Sequence, residues 1–327
     1  MPILRTDFPT LTDDLQEIFN EVAKTKVAEM IGPRLFEVRD TNRRTFDHLI
    51  LHGVSGIAEV TPGQDLPSVN SDEGDSATYT QRYFGAKFSV TKEMRKFDLH
   101  DQIEGLARSL TIDAFDKIDQ SYADDLLYGW ASSYTDVYSK SVSGNGPDGE
   151  TLFNSAHSNG VSTSSRTYSN LINDGTNNNC AFSRNAVVKT RANALVYKDP
   201  SGIVRPINLD TLLVAPTLED LAERTIYSGQ ISGNNNNDIN PLKGKVKNIV
   251  VWPRLETRSD ATSTSNYFFL ADSTKVGESL KSKFAERPEL DAPEEVYANK
   301  NWDYTCDFFY TIGRGFPAYI FGSNASA

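Results

Sequence analysis

A stripe of apolar residues at helical spacing, Ile103, Leu106, Ala107, Leu110, Ala114 and Ile118, persists toward Leu126 and Leu127 until Gly129 closes it. With Asp98 as N-cap, the spacing predicts a helix from Leu99 to Tyr128, roughly 45 Å long at about 1.5 Å per residue. That is more than twice the average helix of about 11–12 residues. Such a helix is a girder, and the rest of the chain must be arranged around it. The 327 residues suffice for one large domain or two modest ones.

Before the girder, Leu15, Ile18, Phe19 and Val22 predict a helix over Thr12 to Met30, capped by Thr12 and ended by Gly32-Pro33. An arginine-rich stretch, Arg34 to Arg44, leads to a short strand at Leu49 to Leu51. This front part reads as an arm laid on something else. Between Gly53 and Thr91 the pattern is strand (Ile57 to Val60), polar tip (Pro62, Gly63, Pro67, Gly74) and strand (Tyr79 to Val90). In the second strand Phe84, Ala86, Phe88 and Val90 alternate onto one face. A hairpin of this length is marginal in water and needs a surface from its own body or from a neighbour.

After the girder, residues 132–179 are rich in Ser, Thr, Asn and Gly and read as loop, with a turn at Pro147-Asp148-Gly149 and an anchor at Leu152-Phe153. A helix starts at Ser183 and breaks at Pro200-Ser201-Gly202. A strand, Thr211 to Ala215, enters a helix capped by Thr217. Gly233 to Asp238 reads as an exposed loop. Val246 to Trp252, Tyr267 to Leu270 and Thr305 to Ile312 read as strands, and Phe316 to Phe321, with Pro317, as an edge.

Familiar catalytic patterns are mostly absent. His48 and His52 sit four apart, as for a metal on a helix, but no third ligand is evident. Gly313-Arg314-Gly315 opens a dinucleotide-like string that Pro317 obstructs. Asp124-Asp125 and Glu294-Glu295 are adjacent, point in different directions on a helix, and read as solvated faces. Cys180 and Cys306 form no CxxC pair and read as reduced, structural thiols. No cofactor or metal is expected. The formal net charge of −11 argues against a surface that grips nucleic-acid phosphates. No run approaches the roughly 18 apolar residues of a membrane span, and the N-terminus lacks a signal peptide's pattern, which points to synthesis in a cytoplasm. The basic islands Arg34 to Arg44 and Lys243 to Lys247 could meet acidic patches on an identical neighbour or serve solubility alone.

Extended arms, long loops and one girder suit an assembly better than a monomer. Three stretches carry a resemblance: Phe88-Ser89-Val90-Thr91-Lys92-Glu93-Met94 with Asp98; Asp148-Gly149-Glu150-Thr151-Leu152-Phe153 with His157 and Asn159; and Arg205-Pro206-Ile207-Asn208-Leu209 with Leu212-Leu213-Val214-Ala215-Pro216, Leu218-Glu219 and Ala222. In their order the chain resembles the major capsid proteins of tailed bacteriophages, of the Hong Kong 97-type fold, with a pattern nearest the Mu-like major head subunits. The resemblance implies an α+β chain: an N-terminal arm (1–54), an extended hairpin loop (55–90), a peripheral domain with the spine helix (91–179, returning about 274–301) and an axial domain (180–273 and 302–327). It implies a non-enzymatic structural protein that self-assembles into hexamers and pentamers of an icosahedral shell around double-stranded DNA.

The partners so implied are further copies of the chain, a portal, decoration proteins and, since the arm starts near Met1, a separate scaffolding protein. Membranes are not among them. The virion capsid is the implied location, with assembly in the host bacterial cytoplasm. Phe19 of the arm and Arg82, Phe84 and Phe88 of the hairpin are the interface candidates, either facing a partner subunit or packing within their own. An encapsulin-like compartment has the same fold and remains open. So do a carbohydrate-active enzyme with a cleft in the loop-rich middle and a tail or baseplate protein.

Overall fold

The structure, a computed structural model, describes residues 7–51, 59–66, 73–97, 100–158, 167–199, 202–231, 238–296, 298 and 300–325. In chain order it begins with α1 (Asp7–Glu29), α2 (Gly32–Leu35), β1 (Glu37–Asp40), β2 (Thr45–Leu51), β3 (Glu73–Thr80) and β4 (Arg82–Val90). Then come α3 (Lys92–Lys96), α4 (His100–Leu127) and the short strands β5 (Ser133–Thr135), β6 (Ser141–Ser143), β7 (His157–Ser158) and β8 (Thr167–Tyr168). The second half runs α5 (Arg184–Leu195), β9 (Thr211–Val214), α6 (Glu219–Tyr227), β10 (Asn248–Val251), β11 (Phe268–Ala271), α7 (Val276–Ser279), β12 (Leu280–Leu290), β13 (Glu294–Val296), β14 (Asn301–Arg314) and β15 (Ile320–Ser323).

The girder is α4. Its 28 residues span roughly 42 Å at about 1.5 Å each, and Ile103, Ala107, Ile118, Tyr122, Leu126 and Leu127 are buried along it. The arm helix α1 lies on it with Leu15 and Phe19 inward. A five-stranded sheet packs on the same core, with β12 and β14 at its centre, β1 on the outer edge of β12 and β4 on the outer edge of β14. The second sheet, β10-β9-β11-β15, carries three fully buried strands, Thr211–Val214, Phe268–Ala271 and Ile320–Ser323, between a second core and the first. α5 and α6 complete that second core with Val187, Ala194, Ala222 and Ile226.

Several expectations change in detail. The arm helix starts five residues before Thr12, so Thr12 lies inside it. Thr217 does not cap α6; its hydroxyl donates to Glu256 at 2.6 Å, and a single 3₁₀ turn, Pro216–Leu218, leads into the helix. The strand expected from Tyr79 to Val90 divides at Gln81, where the chain changes partner: β4 joins β14, and β3 joins β2. The reason is side-chain chemistry. The inward face of β4 meets an aromatic row on β14 (Tyr304, Phe308, Tyr310), whereas the smaller residues of β3 find their counterparts on β2.

The domain scheme shifts too, because β14, expected in the axial part, lies in the sheet beside the spine, and β15 alone of that terminal stretch enters the second sheet. Strands β12 and β13 replace any helix around Glu294-Glu295. The helix expected to run to Pro200 ends at Leu195, and Glu59 and Val60, expected in a strand, are in none. His52, Ile57, Ala58, the Asp98 cap, Asn159, Pro200, Ser201 and the loop over 233–237 lie outside the described residues.

Candidate functional site

The feature that a globular body does not need is the β2–β3 hairpin. Its strands pair from Thr45↔Thr80 to Leu51↔Glu73. Period-two alternation gives it two faces. Phe46, His48 and Tyr79 turn toward the body: the Phe46 and Tyr79 rings lie 5.3 Å apart, and the Lys283 ammonium stands 4.0 Å from the Phe46 centroid. Asp47, Leu49, Ser76 and Thr78 turn to solvent, Leu49 being 41% exposed. Beyond the strands, Leu66 is 83% exposed.

The body end of the hairpin is tied by polar contacts that burial strengthens. The Tyr79 phenol donates to the Arg314 carbonyl at 2.6 Å and accepts the Arg314 amide N–H at 3.0 Å. Burial pushes the phenol up to about 12, so it keeps its proton. Toward the other end of the strands, Ser158 donates to Asp75 at 2.7 Å. Burial, with Lys281 and Lys283 nearby, lowers the His48 imidazole to about 4, so it is neutral in the fold.

All four interface candidates find partners within their own chain. Phe19 is 1% exposed in the cluster that holds Leu15, Ile118 and Tyr122. Phe84 packs on Tyr138, Phe308 and Tyr310, with centroids 4.2, 5.6 and 4.9 Å away. Phe88 stacks on Tyr304 at 5.2 Å. Arg82 pairs with the buried Asp136 at 2.6 Å and lies over the Phe84 ring. None belongs to the hairpin proper, because β4 is part of the body sheet. Tyr83, on the opposite face of β4, is 61% exposed.

Asp124 and Asp125, expected on a solvated face, are buried at 0% and 3% exposure. The Arg314 guanidinium bonds the Asp125 carboxylate and its carbonyl, at 3.0 and 2.8 Å, and the Gly144 carbonyl. Asp124 accepts from Gln120 at 3.0 Å and from the Ser259 amide at 3.2 Å, and burial raises its carboxyl above the ordinary range. His157, fully buried, pairs with Asp148 at 2.6 Å. Among the described residues no group of three or more His, Cys, Asp or Glu side chains is placed to hold a metal. His48 sits on β2, which extends the short strand expected at Leu49 to Leu51, so the four-residue spacing to His52 is not a helical one.

Sequence reasoning missed Tyr79 and Arg314. The one available signal was Gly313-Arg314-Gly315, in which two glycines flank a charge that the strand must bury.

A family model described as phage capsid protein matches residues 74–320, about three-quarters of the chain. The chain belongs to the phage capsid protein family. This major capsid protein is a structural component of the virion and has the Hong Kong 97-type fold. The capsid of cyanophage P-SCSP1u superposes with a TM-score of 0.50 at 11% identity, over 90% of this chain and 87% of that one. Microbacterium phage Oxtober96 gives 0.48 at 9% identity over 90% of each chain. A virus-like particle from Pyrococcus furiosus gives 0.45 at 12% identity, over 95% of this capsid protein and 98% of its own chain. No curated protein matches the sequence.

Proposed function

We propose that this capsid protein forms hexamers and pentamers that close into the icosahedral head of a tailed phage around its double-stranded DNA. The observation that supports this best is the hairpin. Among the described residues it touches its own body along one face, while Leu49 on the other face and Leu66 beyond the strands stay exposed. A two-stranded ribbon is marginal alone, so the other face is stabilised by burial against an adjacent copy, repeated around closed rings. The work is done by many subunit contacts and needs no catalytic residue. The net charge of −11 suits a container that encloses DNA without gripping it.

The arm, hairpin, peripheral and axial division belongs to this reading, with β14 reassigned to the peripheral sheet. So do the likeness to Mu-like head subunits and assembly in a bacterial cytoplasm with scaffolding, portal and decoration proteins.

The test is expression in a bacterial cytoplasm, sedimentation, and electron microscopy of the fastest species. Closed shells, alone or with a scaffold supplied, are expected; a monomer that never assembles under either condition would refute the reading. Removing residues 62–71, which spares β3, is expected to leave a folded subunit that fails to close shells.

A further inference from the structure

At Tyr310 the body sheet loses a strand. β4 pairs with β14 from Trp302 to Tyr310, but β14 runs on to Arg314, still paired with β12 on its other side. In an antiparallel ladder the main-chain groups of alternate residues turn to opposite edges, so the end of β14 carries N–H and C=O groups that no strand among the described residues receives. The chain that could have continued β4 instead crosses at Gln81 to join β2. Gln81 donates its backbone N–H to Arg44, while both polar atoms of its buried side-chain amide lack a partner among the described residues. Burying an amide this way carries a cost, and it sits at the point where the hairpin leaves the sheet.

We propose that Tyr79 positions the extended hairpin by standing in for the strand that β14 lacks, and that Gly313-Arg314-Gly315 is the seat built for it. A single phenol meets both main-chain groups of Arg314, as donor and as acceptor. The seat is shaped to the ring. A Cβ at Gly313 would stand 2.7 Å from a carbon of the Tyr79 ring, and one at Gly315 would meet the Glu278 carbonyl and come within 3.0 Å of His48 Nε2. Beneath the seat, the Arg314 side chain anchors to Asp125 near the end of α4 and to Gly144. A continuous run of contacts therefore joins the spine helix to the hairpin, through Asp125, Arg314 and Tyr79. It sets the direction in which the hairpin leaves the body. What the hairpin reaches rests on the function proposed above; the seat does not.

Hydrogen exchange on the full-length chain, kept dilute enough to remain unassembled, separates the two. Tyr79→Phe keeps the ring and removes both hydrogen bonds. Exchange over residues 45–50 and 74–80 is expected to quicken roughly tenfold, with residues 211–214 and 268–271 unchanged. Unchanged hairpin exchange, or equal acceleration everywhere, would overturn the seat.

A double-mutant cycle gives a second, independent reading. Gly313→Ala is expected to loosen the hairpin in the wild-type background and to have no further effect in Tyr79→Ala, where the ring it would strike is gone. Equal effects in both backgrounds would show that Gly313 is not there for Tyr79 and would sink the proposal. If Tyr79→Phe loosens the hairpin while shells still close at normal diameter, the seat stands and the part given to the hairpin in closure fails.

Discussion

His48 shows how one side chain can make the hairpin sensitive to pH. Its imidazole titrates near 6.5 in an unfolded chain and near 4 in the fold, through burial first and then the charges of Lys281 and Lys283, partly opposed by Glu37. A base with a lowered folded value stabilises the docked form fully above about 6.5, and that contribution is lost as pH falls toward about 4. Exchange of residues 45–50, corrected for its intrinsic pH dependence, is expected to rise over that window. His48→Gln is expected to flatten the rise, and identical profiles for the two proteins would exclude His48 as its source. The buried acids were hidden from the sequence for a related reason. Adjacency told that Asp124 and Asp125 diverge on a helix, but only Arg314, 189 residues beyond Asp125, makes it possible to bury one of them.

The elements divide by how local their causes are. The spine helix was legible almost to its ends, since its stripe repeats over seven turns or more and the apolar face has one physical use. The start of the helix at Ser183 was equally legible, because its cap is a contact within four residues: Ser183 accepts the Ala186 N–H at 3.2 Å, whereas the helix ends at Leu195, short of the break expected at Pro200. The hairpin was legible as a hairpin but with the wrong strands. Alternation tells which residues share a face and says nothing about which strand lies opposite. This matters for Phe84, whose face was read correctly and whose partner is its own β14. Phe84→Ala is expected to destabilise the monomer by about 2–3 kcal/mol in urea unfolding. A monomer of unchanged stability that no longer assembles would instead place that ring against a neighbour.

For the whole molecule, net charge and assembly pull in opposite directions. Subunits carrying −11 each repel over a screening length of about 30 Å at 0.01 M salt, but of only about 8 Å at 0.15 M. Raising ionic strength over that range is therefore expected to speed shell formation in light scattering, since burial of apolar surface is little affected. A slowing would mean that ion pairs between copies, such as the exposed lysines of residues 243–247 with acidic faces, dominate the contact. By itself the sequence determined the girder, the order of parts, the family likeness and the acidic balance, because these depend on neighbours a few residues apart or on simple counts. Only the tertiary structure decided that β14 sits beside the spine, that Asp125 is buried on Arg314, and that Tyr79 fills the end of a strand 235 residues away. Those are pairings between distant segments, chosen by shape and by the need to satisfy every buried polar group. No local pattern records them.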